Sequence, residues 1–228
     1  MNRILAAVIT LLTLSLQVKA QSDPEYLMEI GAGTGMVTYE GDFIDGIFSE
    51  MQPMVTVMAR RVLNPYMAFR LSASYGKIKG SSANVKTYYP DYQTEPYEFS
   101  NSLIDVSLTY EYNFWPYGTG RDYRGAKRLT PFVFGGLGFT SASGKGKSAA
   151  TANVPLGLGI KYKVGPRVNL GLEWAVHFSL SDKLDGVADP YYVKSSGPFK
   201  NTDCYSALQL SLTYSFWKKC RVCHNQDE

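Results

Sequence analysis

Beyond residue 20 the chain lacks any long apolar run, and its charges nearly cancel. No segment there is long and apolar enough to cross a bilayer as a helix, so we expect no transmembrane helix. The full chain has 23 basic and 20 acidic residues; without Arg3 and Lys19 the basic total is 21, which leaves a net charge near +1. Such a balance gives no electrostatic basis for binding nucleic acid, and we expect no nucleic-acid partner.

The first 20 residues have the pattern of a secretory signal peptide. Arg3 supplies the positive charge, residues 4–16 are mostly apolar, and Ala20 ends a small-residue cleavage site before Gln21. The apolar stretch is too short to span a bilayer comfortably. The residue directly after the cleavage site is Gln21 and not a cysteine, so a lipid-anchored form is not expected. We therefore predict an exported protein from which residues 1–20 are removed.

Residues 104–114 contain the clearest structural signal. Apolar and polar side chains alternate there without a break, so an extended strand would have one wholly apolar and one wholly polar face. The apolar positions are Ile104, Val106, Leu108, Tyr110, Tyr112 and Phe114, and the polar positions are Asp105, Ser107, Thr109, Glu111 and Asn113. The pattern is typical of a soluble sheet with a buried apolar face, or of a transmembrane barrel with a lipid-facing one.

Further segments with alternating side chains bring the number of predicted strands to eight. They lie at residues 27–37, 54–60, 67–75, 104–114, 132–140, 156–162, 168–178 and 208–216. Strands of roughly 9–11 residues are long enough to cross a bilayer at a tilt. Between them, residues 76–96 and 141–153 are predicted loops, and residues 63–65 and 164–167 are predicted tight turns.

We therefore predict an all-β fold, an eight-stranded antiparallel transmembrane β-barrel at residues 21–216 in the outer membrane and in contact with its lipid. Both termini and a tail at residues 217–228 are expected in the periplasm. The alternative is a soluble lipocalin-like barrel, which would bury the apolar face inside. An eight-stranded interior is too small for that many large side chains, and this favours the membrane barrel.

On this interpretation seven ionisable side chains point into the barrel. They are Glu29, Arg70, Asp105, Glu111, Lys161, Glu173 and His177. Buried charges must pair or be hydrated, so we predict a salt-bridge network that plugs the barrel, with an ion path as the alternative. His177 and Ser179 are similar to the His-x-Ser pair of outer-membrane lipid A deacylases. In the alternating pattern of the seventh strand, His177 and Ser179 both fall on the polar inner face, away from lipid. We therefore do not expect an enzyme.

The chain has three cysteines, and two lie in a basic tail. Cys204 precedes the eighth predicted strand and Cys220 follows it, so they lie at opposite ends of the barrel and cannot pair. Cys220, Cys223 and His224 match a haem-attachment pattern, but so few residues follow that no haem is expected. A zinc ion bound by these three residues would lack a fourth ligand unless a partner supplied it, so no metal is expected. A Cys220–Cys223 bridge is one alternative; we favour a disulfide from a tail cysteine to a periplasmic partner. The predicted docking surface joins this tail to the basic segment at 116–128, through Lys218, Lys219, Arg221, Arg121, Arg124, Lys127 and Arg128.

The mature chain resembles the PorG family of Bacteroidota outer-membrane barrels, part of the type IX secretion system. The residues that carry the resemblance, in order, are those at 39–42, 98–101, 111–114, 172–174, 181–185 and 220–224. Lys183 departs from the family, which usually has an aromatic residue there. The resemblance implies a non-enzymatic component that associates with the PorK lipoprotein and the PorN ring at the periplasmic face. The alternative is an OmpA-like surface barrel that stabilises the envelope or binds ligands through its extracellular loops.

Overall fold

Eight antiparallel strands form a closed barrel in the computed structural model, which describes residues 26–40, 51–81, 98–118, 126–144, 147–180 and 204–218. The strands are β1 (Tyr26–Glu40), β2 (Gln52–Asn64), β3 (Met67–Ser81), β4 (Glu98–Asn113), β5 (Leu129–Gly144), β6 (Lys147–Lys163), β7 (Val168–Ser179) and β8 (Cys204–Lys218). Each strand pairs with the next along the chain, and β8 pairs with β1. The predicted eight-stranded antiparallel barrel is confirmed. No helix among the described residues is long and apolar enough to cross a membrane.

The strands are strongly staggered around the barrel. A path through register partners that starts at Met28 on β1 returns to β1 at Thr38, ten residues further along. That path runs through Met28, Arg61, Phe69, Tyr110, Gly135, Leu156, Val176, Ser206 and Thr38. A stagger of this size in eight strands corresponds to a tilt of about 40° from the barrel axis. The resulting interior is just wide enough for side chains to fill.

The strands are longer than predicted, at 12 to 17 residues. Residues 76–81 and most of 141–153 were expected to be loops, but they extend β3, β5 and β6. The outward positions there are small or polar, such as Ser141, Ser143, Ala150 and Ala152, so the apolar alternation that signals a strand is missing. Backbone pairing continues past the apolar part of the barrel wall because a ladder needs no apolar side chains.

The two ends of the barrel differ, and we name them by their connections. The turn end holds Pro65 and Tyr66, residues 114–118 and 126–128, residues 164–167, the start of β1 and the end of β8. The loop end holds the other four connections, most of whose residues lie outside the described ranges. At the turn end the Tyr66 N–H donates to the Asn64 side-chain oxygen at 2.8 Å, which closes the β2–β3 turn.

The apolar faces of the strands point outward and form a continuous belt around the barrel. Its members are large and exposed; Leu137, for example, is 72% exposed. Leu137 lies on β5, and the other seven strands contribute Ile30, Val57, Leu71, Leu108, Leu158, Leu172 and Leu210. The inner face is mostly polar or small. The register therefore excludes a soluble barrel with its apolar face inside.

Candidate functional site: a filled interior and a basic rim

The structure places all seven sequence-predicted interior side chains on the inner face, where each is buried. Glu111 is the centre of the larger group they form, and it is completely shielded from solvent. Its carboxylate lies 2.8 Å from Arg60 Nε, 3.2 Å from Arg70 Nε and 2.5 Å from Lys161 Nζ. One carboxylate on β4 therefore joins cations from β2, β3 and β6.

Two further carboxylates complete this central network. Arg60 Nη1 lies 2.5 Å from Glu29, and Arg70 pairs with Glu173 on β7. The Gln209 side-chain amide donates to Glu173 at 2.6 Å, so β8 is tied in as well. Side chains from β1, β2, β3, β4, β6 and β7 thus meet in ion pairs at the middle of the barrel. Such pairing with added hydrogen bonds is what buried charges require.

Glycines on β6 make room for two aromatic rings that pack against the cations. Phe132 and Phe134 on β5 point inward and stack at 5.7 Å between ring centres. A Cβ atom on Gly157 would lie 2.4 Å from the Phe134 ring, so no larger residue fits there without displacement. Arg70 lies 4.4 Å from the centre of the Phe134 ring, and Lys161 lies 4.1 Å from that of Phe132. These cation–π contacts fill space that ion pairs alone would leave open.

Asp105 forms a second, smaller cluster on the loop-end side of the central network. Its carboxylate accepts hydrogen bonds from Tyr205 at 2.8 Å, Thr140 at 2.9 Å and Asn153 at 2.7 Å. His177 Nδ1 lies 2.9 Å from the Tyr205 hydroxyl, and the two rings stack at 4.4 Å. A cavity of about 30 Å³ lies between this cluster and the central network. It has room for only a few water molecules.

The turn end of the interior is closed by Tyr117 and Asn169. The Tyr117 hydroxyl and Lys163 Nζ each donate to the Asn169 side-chain oxygen at 3.1 Å. The Asn169 amide in turn donates to Thr213 and Ser215. Burial, reinforced by the Glu29 carboxylate, raises the pKa of Tyr117 well above its ordinary value. The phenol therefore stays neutral and remains a hydrogen-bond donor.

Outside the interior, the turn end carries a basic rim, which we define as Arg61, Lys127, Arg128, Arg167 and Lys218. All five are exposed, and no carboxylate among the described residues of this end is exposed. The β4–β5 connection is tied to the barrel because the Tyr117 N–H donates to Pro65 O, in the β2–β3 turn, at 3.0 Å. Within the connection, the Lys127 N–H donates to Pro116 O at 2.7 Å and the Gly118 N–H to Lys127 O at 3.1 Å. Lys127 Nζ also lies 4.6 Å from the centre of the Trp115 ring.

The structure therefore brings Lys127, Arg128 and Lys218 of the predicted docking surface to one end of the barrel. The remaining predicted members lie outside the described residues: Arg121, Arg124, Lys219, Cys220, Arg221, Cys223 and His224. Cys204 is buried as the first residue of β8 at the loop end, opposite Glu40. The predicted signal peptide also lies outside the described residues.

A family model described as a domain of unknown function, DUF6089, matches residues 2–225. The chain belongs to the DUF6089 family. No curated protein sequence matches it.

Solved structures similar to the DUF6089 barrel share little sequence with it. Neisserial surface protein A is 13% identical, with 83% of this chain and 97% of that chain covered and a TM-score of 0.49. OprG from Pseudomonas aeruginosa is 11% identical, with 87% of this chain and 100% of that chain covered and a TM-score of 0.49. Ail, the attachment invasion locus protein of Yersinia pestis, is 10% identical, with 82% and 98% covered and a TM-score of 0.45.

Sequence reasoning missed Arg60, which holds two carboxylates of the DUF6089 barrel. The inner face of β2 contains Met54, Thr56, Met58 and Arg60, so it is neither clearly polar nor clearly apolar. Arg61 follows directly, and the alternation of side chains on this strand does not decide which of the two arginines faces inward. The register settles the choice, because Arg60 pairs with Glu29 on one side and with Arg70 on the other.

His177 and Ser179 both lie buried on the inner face of the DUF6089 barrel. The His-x-Ser pair is therefore turned away from the outer apolar belt, where the acyl ester of a lipid would lie. Among the described residues, no group of histidine, cysteine and acidic side chains has the arrangement of a metal site.

Proposed function

We propose that this protein is a non-enzymatic outer-membrane component of the type IX secretion system that anchors or assembles the PorK/PorN ring at the periplasmic face. The observation that carries the proposal is the filled interior. Side chains of six strands meet in ion pairs around Glu111, and Phe132 and Phe134 pack beside them. A bore filled in this way cannot pass a folded protein. Within a secretion machine, such a barrel serves as an anchor and not as a conduit.

The apolar belt supports a position in a membrane. A contiguous apolar surface around the whole molecule is unfavourable in water, whereas in lipid a closed barrel leaves no strand edge unpaired. Aromatic side chains mark the belt's edge at the turn end, as at membrane interfaces of other barrels. They are Phe69, Tyr110, Tyr112, Phe114, Trp115, Tyr162 and Tyr214. The predicted signal peptide provides export, and the outer membrane is where exported barrels are found.

The lengths of the connections support a periplasmic turn end. Membrane barrels have short periplasmic turns and longer extracellular loops. Two of the three turn-end connections are short, at residues 65–66 and 164–167, whereas three of the four loop-end connections are long, at 41–51, 82–97 and 180–203. The fourth loop-end connection has only two residues, 145–146. The start of β1 and the end of β8 lie at the turn end, so both termini and the cysteine-bearing tail would face the periplasm. The third turn-end connection, between β4 and β5 at residues 114–128, is long and departs from this pattern.

Charge supports the turn end as the docking surface for the periplasmic partner. Its described residues include exposed Lys127, Arg128 and Lys218, and the sequence adds Lys219 and Arg221 next to Cys220. Thiols exported to an oxidising compartment tend to form disulfides. We therefore propose that Cys220 or Cys223 forms a disulfide with a partner protein, in addition to electrostatic contacts with the basic segment.

A pull-down from crosslinked cells without reductant tests the proposal. We expect the tagged protein to retain PorK and PorN, and we expect Cys220→Ala with Cys223→Ala to remove any partner held by disulfide. The matched control is Cys204→Ala, because Cys204 is buried at the opposite end of the barrel. Capture of no ring component by the unmodified protein would contradict the secretion role and favour the OmpA-like surface barrel.

A further inference from the structure

We propose that residues at the seam between β1, β8 and the β6–β7 turn bind the phosphate headgroup of an anionic phospholipid. The seam site consists of the exposed residues Arg167, Tyr214, Trp217 and Lys218, with the buried Tyr26 beside Arg167. It lies at the turn end, where the apolar belt meets the solvent. The proposal depends on the membrane location argued above, but not on a role in secretion.

Backbone pairing brings these residues together from three parts of the chain. Tyr26, the first residue of β1, pairs with Lys218 at the end of β8. Val168, which follows Arg167, pairs with Tyr214, and the Ser215 N–H donates to Arg167 O at 2.6 Å. The site is therefore built by the strand closure of the barrel and does not depend on a long loop.

Arg167 is an exposed guanidinium held in place by aromatic side chains. Its Nη1 donates to the Tyr214 hydroxyl at 2.9 Å, and its Cζ lies 5.7 Å from the centre of the Tyr26 ring. A guanidinium has five N–H donors, so hydrogen bonds to Tyr214 and Tyr26 still leave donors for a phosphate oxygen. Arginine matches phosphate geometry with paired N–H groups. Because the two tyrosines already hold the Arg167 side chain, it loses less conformational freedom when it binds a phosphate.

Trp217 has an unusual backbone conformation at this site. Its φ is 62°, and it is the only non-glycine residue with positive φ among the described residues. Strand alternation would put Trp217 on the inner face with Thr213 and Ser215, yet it is 67% exposed. A bulky residue in the left-handed region is strained, and such strain persists where the surroundings or a function require it. An exposed tryptophan with a neighbouring lysine at the edge of an apolar belt suits the headgroup region of a bilayer.

Charge complementarity identifies the occupant as an anionic lipid. Arg167 and Lys218 belong to a rim that has five exposed cations and no exposed carboxylate among its described residues. Basic side chains at a membrane surface attract anionic headgroups and discriminate little among zwitterionic ones. The apolar side chains beside the site, such as Leu212 and Phe216, lie on the outer face of β8, where lipid acyl chains would pack.

Native mass spectrometry of the mature chain, folded in a neutral detergent, tests the proposal. The probes are a short-chain phosphatidylglycerol and a phosphatidylcholine with the same acyl chains. We expect the first bound phosphatidylglycerol to be retained more tightly than phosphatidylcholine. Arg167→Gln should weaken its binding by about fivefold, as expected for loss of one basic contact at an anionic surface, and Lys218→Gln should add a further loss.

The matched control is Lys77→Gln with Lys79→Gln. These lysines also face outward, but they lie at the loop end. The control removes two charges, as does Arg167→Gln with Lys218→Gln, and we expect it to leave lipid binding unchanged. Folding of each variant is checked by the gel mobility of unboiled samples. Equal binding of the two lipids, or an equal loss in the loop-end control, would overturn the seam site without affecting the secretion proposal.

Discussion

Arg60 and Glu111 are joined inside the barrel by a buried ion pair, with Arg60 Nε 2.8 Å from the Glu111 carboxylate. Neither residue pairs with the other in the strand register, since Arg60 lies on β2 and Glu111 on β4. The contact therefore reaches across the intervening strand β3, where side chains on the inner face converge in the lumen. Arg70 and Lys161 bind the same carboxylate.

Loss of the Glu111 charge should destabilise the barrel strongly. Glu111→Gln leaves three buried cations without their shared partner, and breaking a buried ion pair costs about 3–5 kcal/mol. Glu173→Gln should cost less, because the one cation among the described residues that pairs with Glu173 is Arg70. Urea unfolding in lipid vesicles measures both free energies. A smaller loss for Glu111→Gln than for Glu173→Gln would contradict the central position of Glu111.

A methyl group at Gly157 should disturb the interior. In Gly157→Ala the new Cβ would lie 2.4 Å from Phe134 and 2.6 Å from the Trp174 carbonyl oxygen. Overpacking of this kind costs about 1–3 kcal/mol. Gly165→Ala is the control, because nothing lies within 4 Å of its Cβ position. Thermal or urea unfolding should separate the two variants, and equal stability would show that Phe134 does not fill the space above Gly157.

The filled interior should prevent porin-like conductance. Six strands contribute side chains to the central network, and the nearby cavity holds only about 30 Å³. We expect planar bilayers that contain the purified barrel to show no large, stable current. The same preparation must first be shown to be folded and inserted. A persistent open level would favour the ion-path alternative.

The depth dependence of an introduced charge tests the membrane belt on a single strand. Leu137 and Ser143 both face outward on β5, but Leu137 lies within the apolar belt and Ser143 beyond it. Leu137→Arg should destabilise the barrel in vesicles by about 2–4 kcal/mol, whereas Ser143→Arg should change the stability by less than about 1 kcal/mol. Similar effects at the two positions would argue against a bilayer around the belt.

The sequence predicted the barrel well where lipid-facing and interior residues differ in character. In β4 each outward residue at 104–112 is apolar and each inward one polar, and the structure follows that alternation. The strand prediction failed at 147–153 because the outward positions Ala150 and Ala152 lie outside the belt. Large apolar side chains are not required there, so the alternation that signals a strand is missing. It also missed Arg60, since the partners of that side chain come from β1 and β4 and depend on the register. The sequence alone did not reveal the backbone turn at Trp217.

Deletion of the gene, with export of secreted cargo as the readout, tests the central claim most directly. If the protein anchors the secretion machine, cargo proteins should remain in the cell, and the intact gene should restore their export. A gene that carries Glu111→Gln should restore less cargo export than the intact gene, because the substitution destabilises the barrel. Cargo export that continues unchanged in the deletion strain, with only the envelope weakened or surface binding lost, would contradict the secretion role.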